Sequence, residues 1–253
     1  MAESSTFPSL RRYNLAAGAL HAASGLLVVL LANSFSLPVT ANYMIGPPGT
    51  TGRQLVRVAD LRVAWVVAAF FFLSAVAHFL LAGVLRVRYE RELVKSRNPY
   101  RWIEYSLSSS LMIVAIAQLT GIDDVAALIA LCGVNASMIG FGWIQERYEH
   151  PGGSLLPFWL GCGAGAIPWI AIGVYLVGPG GAAPPPGFVY GIYVSLFVAF
   201  NCFALVQYLQ YRRVGRFADY IVGEKAYLVL SLAAKSLLAW QIFASALAAT
   251  SGQ

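Results

Sequence analysis

One lysine, Lys235, stands in the middle of AYLVLSLAAKSLLAWQIF, residues 226–243, a stretch otherwise apolar enough to cross a bilayer as a helix. A cation near the bilayer centre costs at least ~2.5–3.5 kcal/mol on insertion scales and marks a functional site by default. Two readings compete. In one, the head snorkels, although its short stem would have to climb roughly half of a ~30 Å core. In the other, the buried amine condenses with a carbonyl compound to form a Schiff base. A buried cationic imine requires an opposite charge, because an unpaired ion in low dielectric loses its proton or destabilises the fold. Glu104, in RWIEYSLSSSLMIVAIAQL, is the acidic residue read as lying inside an apolar segment and away from a loop margin. It is the candidate counterion; the alternative is an interfacial glutamate facing headgroups.

Other polar residues fall in the same kind of context. Ser106, Ser108, Ser109 and Ser110 follow Glu104, placed to hydrogen-bond a carboxylate and water or to back-bond to their own helix. Ser231 precedes Lys235 by four residues and so shares its helix face. His21 and His78 lie in the first and second apolar segments. They are candidates for a shared wet pocket that holds a proton, since an unshifted imidazole titrates near pH ~6.5, or they are two separately satisfied core histidines. GVNASMIGFGW carries Asn135, Ser137 and Met138; the fifth segment has Pro157, Gly161, Gly163, Gly165, Pro168 and Trp169; the sixth has Phe200, Asn201, Phe203, Gln207 and Tyr208. Cys132, Cys162 and Cys202 all fall within apolar segments and form neither a disulfide framework nor a metal-ligand spacing.

These side chains need a membrane scaffold. The 253-residue chain is 58% hydrophobic, has mean hydropathy +0.68 and is only 11% charged, against ~25% in soluble domains. Apolar runs of spanning length lie at 13–37, 61–85, 101–120, 124–145, 155–178, 187–211 and 220–249. They predict one all-α domain over 1–253, a seven-helix bundle, with no nucleic-acid signal behind the net charge of +6. The 37–60 connection is too long for a tight turn, and its β-branched residues and Gly/Pro signal predict a small hairpin. A cleaved leader behind Arg11 and Arg12 is the weaker reading of the first segment, with only a poor cleavage site at 32–34.

Loop charge sets the expected orientation. Thirteen basic residues lie on one side (Arg11, Arg12, Arg86, Arg88, Arg91, Lys95, Arg97, Arg101, Arg147, Arg212, Arg213, Arg216 and Lys225) against three on the other (Arg53, Arg57 and Arg62). The N-terminus is therefore expected in the cytoplasm and the C-terminus outside. The 86–101 loop reads as a topology determinant at an anionic leaflet, or as a docking site for a cytoplasmic partner. The third and seventh spans then run parallel, and side chains lean toward their N-terminal ends, which carries the Lys235 nitrogen toward Glu104.

The strings RWIEYSLSSSLMIVAIAQ, GVNASMIGFGWIQERY, PGFVYGIYVSLF, FALVQYLQY and VLSLAAKSLLAWQIF, in this order, resemble the heliorhodopsins, microbial rhodopsins of inverted topology, over essentially the whole chain. The resemblance implies all-trans retinal bound as a protonated Schiff base to Lys235, with Glu104 as counterion and Ser231 beside it. It further implies His21 and His78 in a polar cavity, a homodimer among membrane lipids, a slow photocycle and light sensing without established pumping; no enzymatic activity is expected. The chromophore contacts read on this basis are Ser108, Asn135, Met138, Phe200, Ser231 and Trp240. At the positions where pumping rhodopsins place carboxylates, this chain has Ala115 and Ser231. That disfavours a pump and leaves a light-driven transporter or channel as the alternative. A membrane enzyme or lipid-binding protein is a third class, which would leave Lys235 unexplained. With no second acidic residue read inside a span, the expected holders of a released proton are His21 and His78.

Overall fold

In the computed structural model the described residues are 7–50, 52–178 and 185–251, with side chains described to residue 243. Eight α-helices and one hairpin follow in order: α1 (Pro8–Leu30), β1 (Ser36–Met44), β2 (Arg53–Arg62), α2 (Val63–Ala82), α3 (Arg86–Val94), α4 (Pro99–Leu119), α5 (Val125–Tyr148), α6 (Leu156–Val177), α7 (Gly187–Tyr211) and α8 (Tyr220–Ser251). Seven of them, all but α3, are long and apolar enough to span a membrane.

The last six spans lie within three residues of the expected bounds, but the first is displaced toward the N-terminus. Pro8 occupies the first turn of α1, where its missing N–H costs nothing. At the other end Asn33 Oδ1 accepts the Phe35 N–H at 3.1 Å, a local turn that takes the chain out of the helix before the strand begins. The hairpin is antiparallel, with Ser36 opposite Arg62 and a register shift between Val39 and Thr40. Thr40 is tied to the α4–α5 connection: its N–H donates to Asp123 O (2.9 Å) and its hydroxyl to Asp123 Oδ1 (3.1 Å). The hairpin therefore marks one end of the bundle.

At the opposite end, the 86–101 stretch, read as a loop, contains α3. Its residues alternate on a helical period: Tyr89 and Leu93 are buried against Leu10 and Leu81, and Arg88 and Arg91 face outward. Burial pushes the Tyr89 phenol up to about 12, and the Lys95 ammonium, 2.9 Å from Glu92, holds that carboxyl below its usual range. Asn98 then caps α4 by accepting the Arg101 N–H at 3.1 Å, ahead of Pro99.

The core runs through α2, α4, α7 and α8, with Phe70, Phe71, Ile113, Ile116, Leu196 and Leu238 all fully buried. Leu26, Ile129, Ile170 and Val194 point outward as a lipid-facing surface would. Lipid tails are as apolar as leucine, so packing and polar contacts must hold such helices together. Gly161 and Gly165 illustrate the packing: a Cβ at Gly161 would lie 3.2 Å from Phe141 Cβ, and one at Gly165 would collide with Met138. Gly163 faces open space and contributes nothing to this approach.

Candidate functional site

The third and seventh spans, α4 and α8, bring Glu104 and Lys235 together. Lys235 is 3% exposed and Glu104 8%. Lys235 Nζ lies 3.2 Å from Glu104 Oε1 and donates to Ser231 Oγ at 2.8 Å, with the Tyr105 ring centre 5.5 Å away. Both side chains are buried between helices rather than exposed on the outer surface of the bundle. Ser74 on α2 completes the carboxylate's surroundings: its hydroxyl is 2.5 Å from Glu104 Oε1 and 3.0 Å from Phe70 O. Its single proton goes to the charged acceptor, the stronger of the two. Sequence reasoning passed over Ser74, although it precedes His78 by one helical turn and so shares its face.

His21 and His78 stack with ring centres 5.4 Å apart and planes 10° from parallel. His78 Nδ1 is 2.9 Å from Asn14 Oδ1, and His21 has no hydrogen-bond partner among the described residues. The two rings are thus in contact, and of the pair only His78 lines the adjoining cavity. His78, Asn14 and Glu104 line an inner cavity of about 20 Å³, which has room for one water.

On the other side of Lys235 lies a second cavity of about 110 Å³, narrow and mostly apolar. Of the residues read as chromophore contacts, Lys235, Ser231, Ser108, Met138 and Phe200 line it. Two do not. Asn135 is buried behind the wall, its amide donating to Ser109 Oγ (2.8 Å) and Ser110 Oγ (3.0 Å). Trp240 is 42% exposed on the outer surface of α8: five residues beyond Lys235, at ~3.6 residues per turn, places it well around the helix from the lysine. The aromatic walls come instead from Trp102, Tyr105, Phe203 and Tyr227.

A second ionic group corrects the reading of Glu104 as the sole intramembrane acid. Glu146 on α5 and Glu224 on α8 are 5% and 2% exposed, and both pair with Arg101, which is 6% exposed and does not belong among the loop charges. The Arg101 guanidinium lies 4.1 Å from the Tyr227 ring centre and 4.5 Å from that of Trp102. Glu146 Oε1 accepts from Arg101 Nη2 (2.5 Å) and the Tyr220 hydroxyl (2.9 Å), and Oε2 accepts from Asn98 N (2.7 Å) and Trp102 Nε1 (2.6 Å). The three charges lie near helix ends and read as solvated in the sequence.

Chemically, a mostly apolar, aromatic-walled cavity holds a primary amine backed by a carboxylate. That donor set suits a flat, apolar carbonyl compound: the amine can form an imine, the carboxylate can balance its charge, and the walls keep out hydrolytic water.

A family model described as Heliorhodopsin matches residues 10–247. No curated protein matches the chain. Solved structures share the fold at low identity. The transmembrane domain and linker of the Salpingoeca rosetta rhodopsin phosphodiesterase has TM-score 0.66 and 14% identity, over 93% of this chain and 71% of that one. The light-driven proton pump of Leptosphaeria maculans has 0.64 and 12%, over 93% and 94%. The proton pump of Coccomyxa subellipsoidea has 0.62 and 17%, over 93% and 96%.

Proposed function

The chain belongs to the heliorhodopsin family, whose members are retinal proteins of photoreceptor type, and we propose that it senses light through all-trans retinal held on Lys235, without pumping ions. The observation that carries this reading is the buried Lys235–Glu104 pair, 3.2 Å apart, at the end of the apolar slot. Retinal bound there as a protonated Schiff base supplies visible absorption and a double bond that isomerises in light.

The chain's own residues do the rest. Lys235 provides the nitrogen, Glu104 balances its positive charge, Ser74 orients the carboxylate, and Ser231 accepts from Lys235 Nζ. Met138, Phe200 and Phe203 exclude water along the slot. Against vectorial transport stand Ala115 and Ser231, which offer no carboxylate to pass a proton on. The signal is instead a rearrangement of helices read at the α3 end, the face we assign to the cytoplasm from its excess of arginine and lysine. A partner docking on those basic loops and a homodimer in the bilayer complete the proposal.

Absorption of the protein purified with all-trans retinal tests it. A visible band should form in the wild type and be lost in Lys235→Ala, because no other lysine lies inside a span away from its ends. A visible band surviving in Lys235→Ala would remove the attachment. A steady photocurrent would replace the sensor by the transporter or channel.

A further inference from the structure

We infer that Glu224 is the group that takes up the proton leaving Lys235 Nζ in the light, an inference that rests on the retinal reading of Lys235 proposed above. Three observations support it.

The first is occupancy of lone pairs. Glu146 accepts from four donors, two on each oxygen, so as a carboxylate it is saturated and has no site left for a proton. Glu224 is equally buried but meets only two groups, the Asn98 amide at 2.7 Å and Arg101 Nη1. The second is charge. Lys235 balances Glu104, and Arg101 is shared between Glu146 and Glu224, which leaves the buried cluster with one anion more than its cations balance. The third is access. Glu224 lines the same inner cavity as Glu104 and His78, with room for one water between the groups.

The charged and titratable groups around Glu224 are His78 of α2, Tyr89 of α3, Tyr100, Arg101, Glu104 and Tyr105 of α4, Glu146 of α5 and Tyr227 of α8. When the proton leaves Lys235 Nζ, that nitrogen becomes neutral and the cavity gains a net negative charge shared by Glu104 and Glu224. A water beside His78 carries the proton to a Glu224 carboxylate oxygen, which becomes a neutral carboxyl; the reverse transfer restores the dark state. No atom or electron is gained or lost. His78 is a relay in this scheme, and Glu146 is the fixed anion that keeps Arg101 in place. Arg101 and Tyr227 also line an outer cleft of about 670 Å³ at the α3 end, so the same wall that holds the proton separates the inner cavity from that cleft.

Light-minus-dark infrared difference spectroscopy on the full chain with all-trans retinal, in lipid vesicles, tests this. The expected result is a protonated-carboxyl C=O band that rises as the visible absorption converts to the near ultraviolet, shifts in heavy water, and is absent in Glu224→Gln. The amide preserves shape and the Asn98 contact. Should Glu224→Gln not yield folded protein, Glu224→Asp decides by moving the frequency of that band. A carboxyl band unchanged in both variants, or no carboxyl band while the nitrogen deprotonates normally, overturns the inference and leaves the retinal reading standing. Failure to form any visible absorption in the wild type overturns both. In the retinal-free protein, lowering the pH should produce a carboxyl band that is lost in Glu224→Gln and kept in Glu146→Gln; loss only in Glu146→Gln refutes the assignment of roles.

Discussion

The Ser74 hydroxyl and the Lys235 ammonium converge on the same carboxylate oxygen, Oε1 of Glu104, at 2.5 and 3.2 Å. The serine therefore draws charge from the oxygen that balances the lysine nitrogen, and the two contacts compete. Removing the donor concentrates negative charge on Glu104, and removing the carboxylate abolishes it, so the two substitutions should move the colour in opposite directions. Ser74→Ala should shift the visible band to shorter wavelength and destabilise the protein by about 1.5–3 kcal/mol, the usual worth of a hydrogen bond to a charged group. Absorption spectra and thermal melts of the same preparations measure both effects; a red shift in Ser74→Ala would show that the hydroxyl does not act on this carboxylate.

Glu104→Gln should give a red-shifted protonated form, because the ground-state charge is less localised once its partner is gone. The sign of its pH dependence follows from the same charge. An anion beside the nitrogen favours the protonated state, so without it the change from visible to near-ultraviolet absorption should occur at lower pH than in the wild type. A titration that overlays the wild-type curve would remove Glu104 as counterion.

The contrast between Phe200 and Trp240 gives a third expectation. Phe200 lines the slot and packs edge-on against Trp169, with ring centres 5.4 Å apart, whereas Trp240 faces outward. Phe200→Ala should move the absorption maximum, and Trp240→Ala should leave it where it is. Equal shifts in the two variants would contradict the placement of the chromophore in this slot.

These cases show what the linear chain discloses. Lys235 and Glu104 stand out because ionic groups in long apolar runs are costly whatever surrounds them, and helix direction alone suggests that they meet. The hairpin was similarly legible from its length and its turn residues. Trp240 misleads because proximity in sequence to Lys235 carries no information about helix face unless the angle is counted. Arg101, Glu146 and Glu224 were hidden for a different reason. Each lies near the end of a span, where charged residues ordinarily meet water; here they are buried against one another and against Asn98, Trp102, Tyr220 and Tyr227. The pairing of Asn98 with both glutamates, at 2.7 Å in each case, joins residues far apart in the chain and has no local signature.

Burial of Arg101 also alters the charge count behind the membrane orientation, leaving twelve loop cations at the α3 end against Arg53, Arg57 and Arg62 in the hairpin. The imbalance remains large, so the orientation proposed above from the positive-inside rule does not depend on Arg101. A cysteine at Thr50, exposed in the hairpin turn, should react with a membrane-impermeant maleimide on intact cells, and one at Arg88, exposed on α3, should react only after permeabilisation. The reverse pattern would invert the assignment.

The final prediction concerns bulk protons. His78 lines the inner cavity with His21 stacked behind it, Glu224 lines that cavity toward the α3 end, and Arg101 and Tyr227 line both it and the outer cleft. A proton released at Lys235 Nζ therefore finds acceptors before it reaches water, and neither Ala115 in the hairpin half of α4 nor Ser231 one turn before Lys235 on α8 is a carboxylate that could lead it away. Internal retention requires that a pH-indicator dye report far less than one proton per photocycle, both in detergent and in sealed vesicles, while the near-ultraviolet form accumulates fully. Single substitutions of His21 or His78 to alanine should leave that result unchanged where water fills the vacated space and continues to carry the proton. Stoichiometric release on one side of the vesicle with uptake on the other would refute retention and make the protein a transporter.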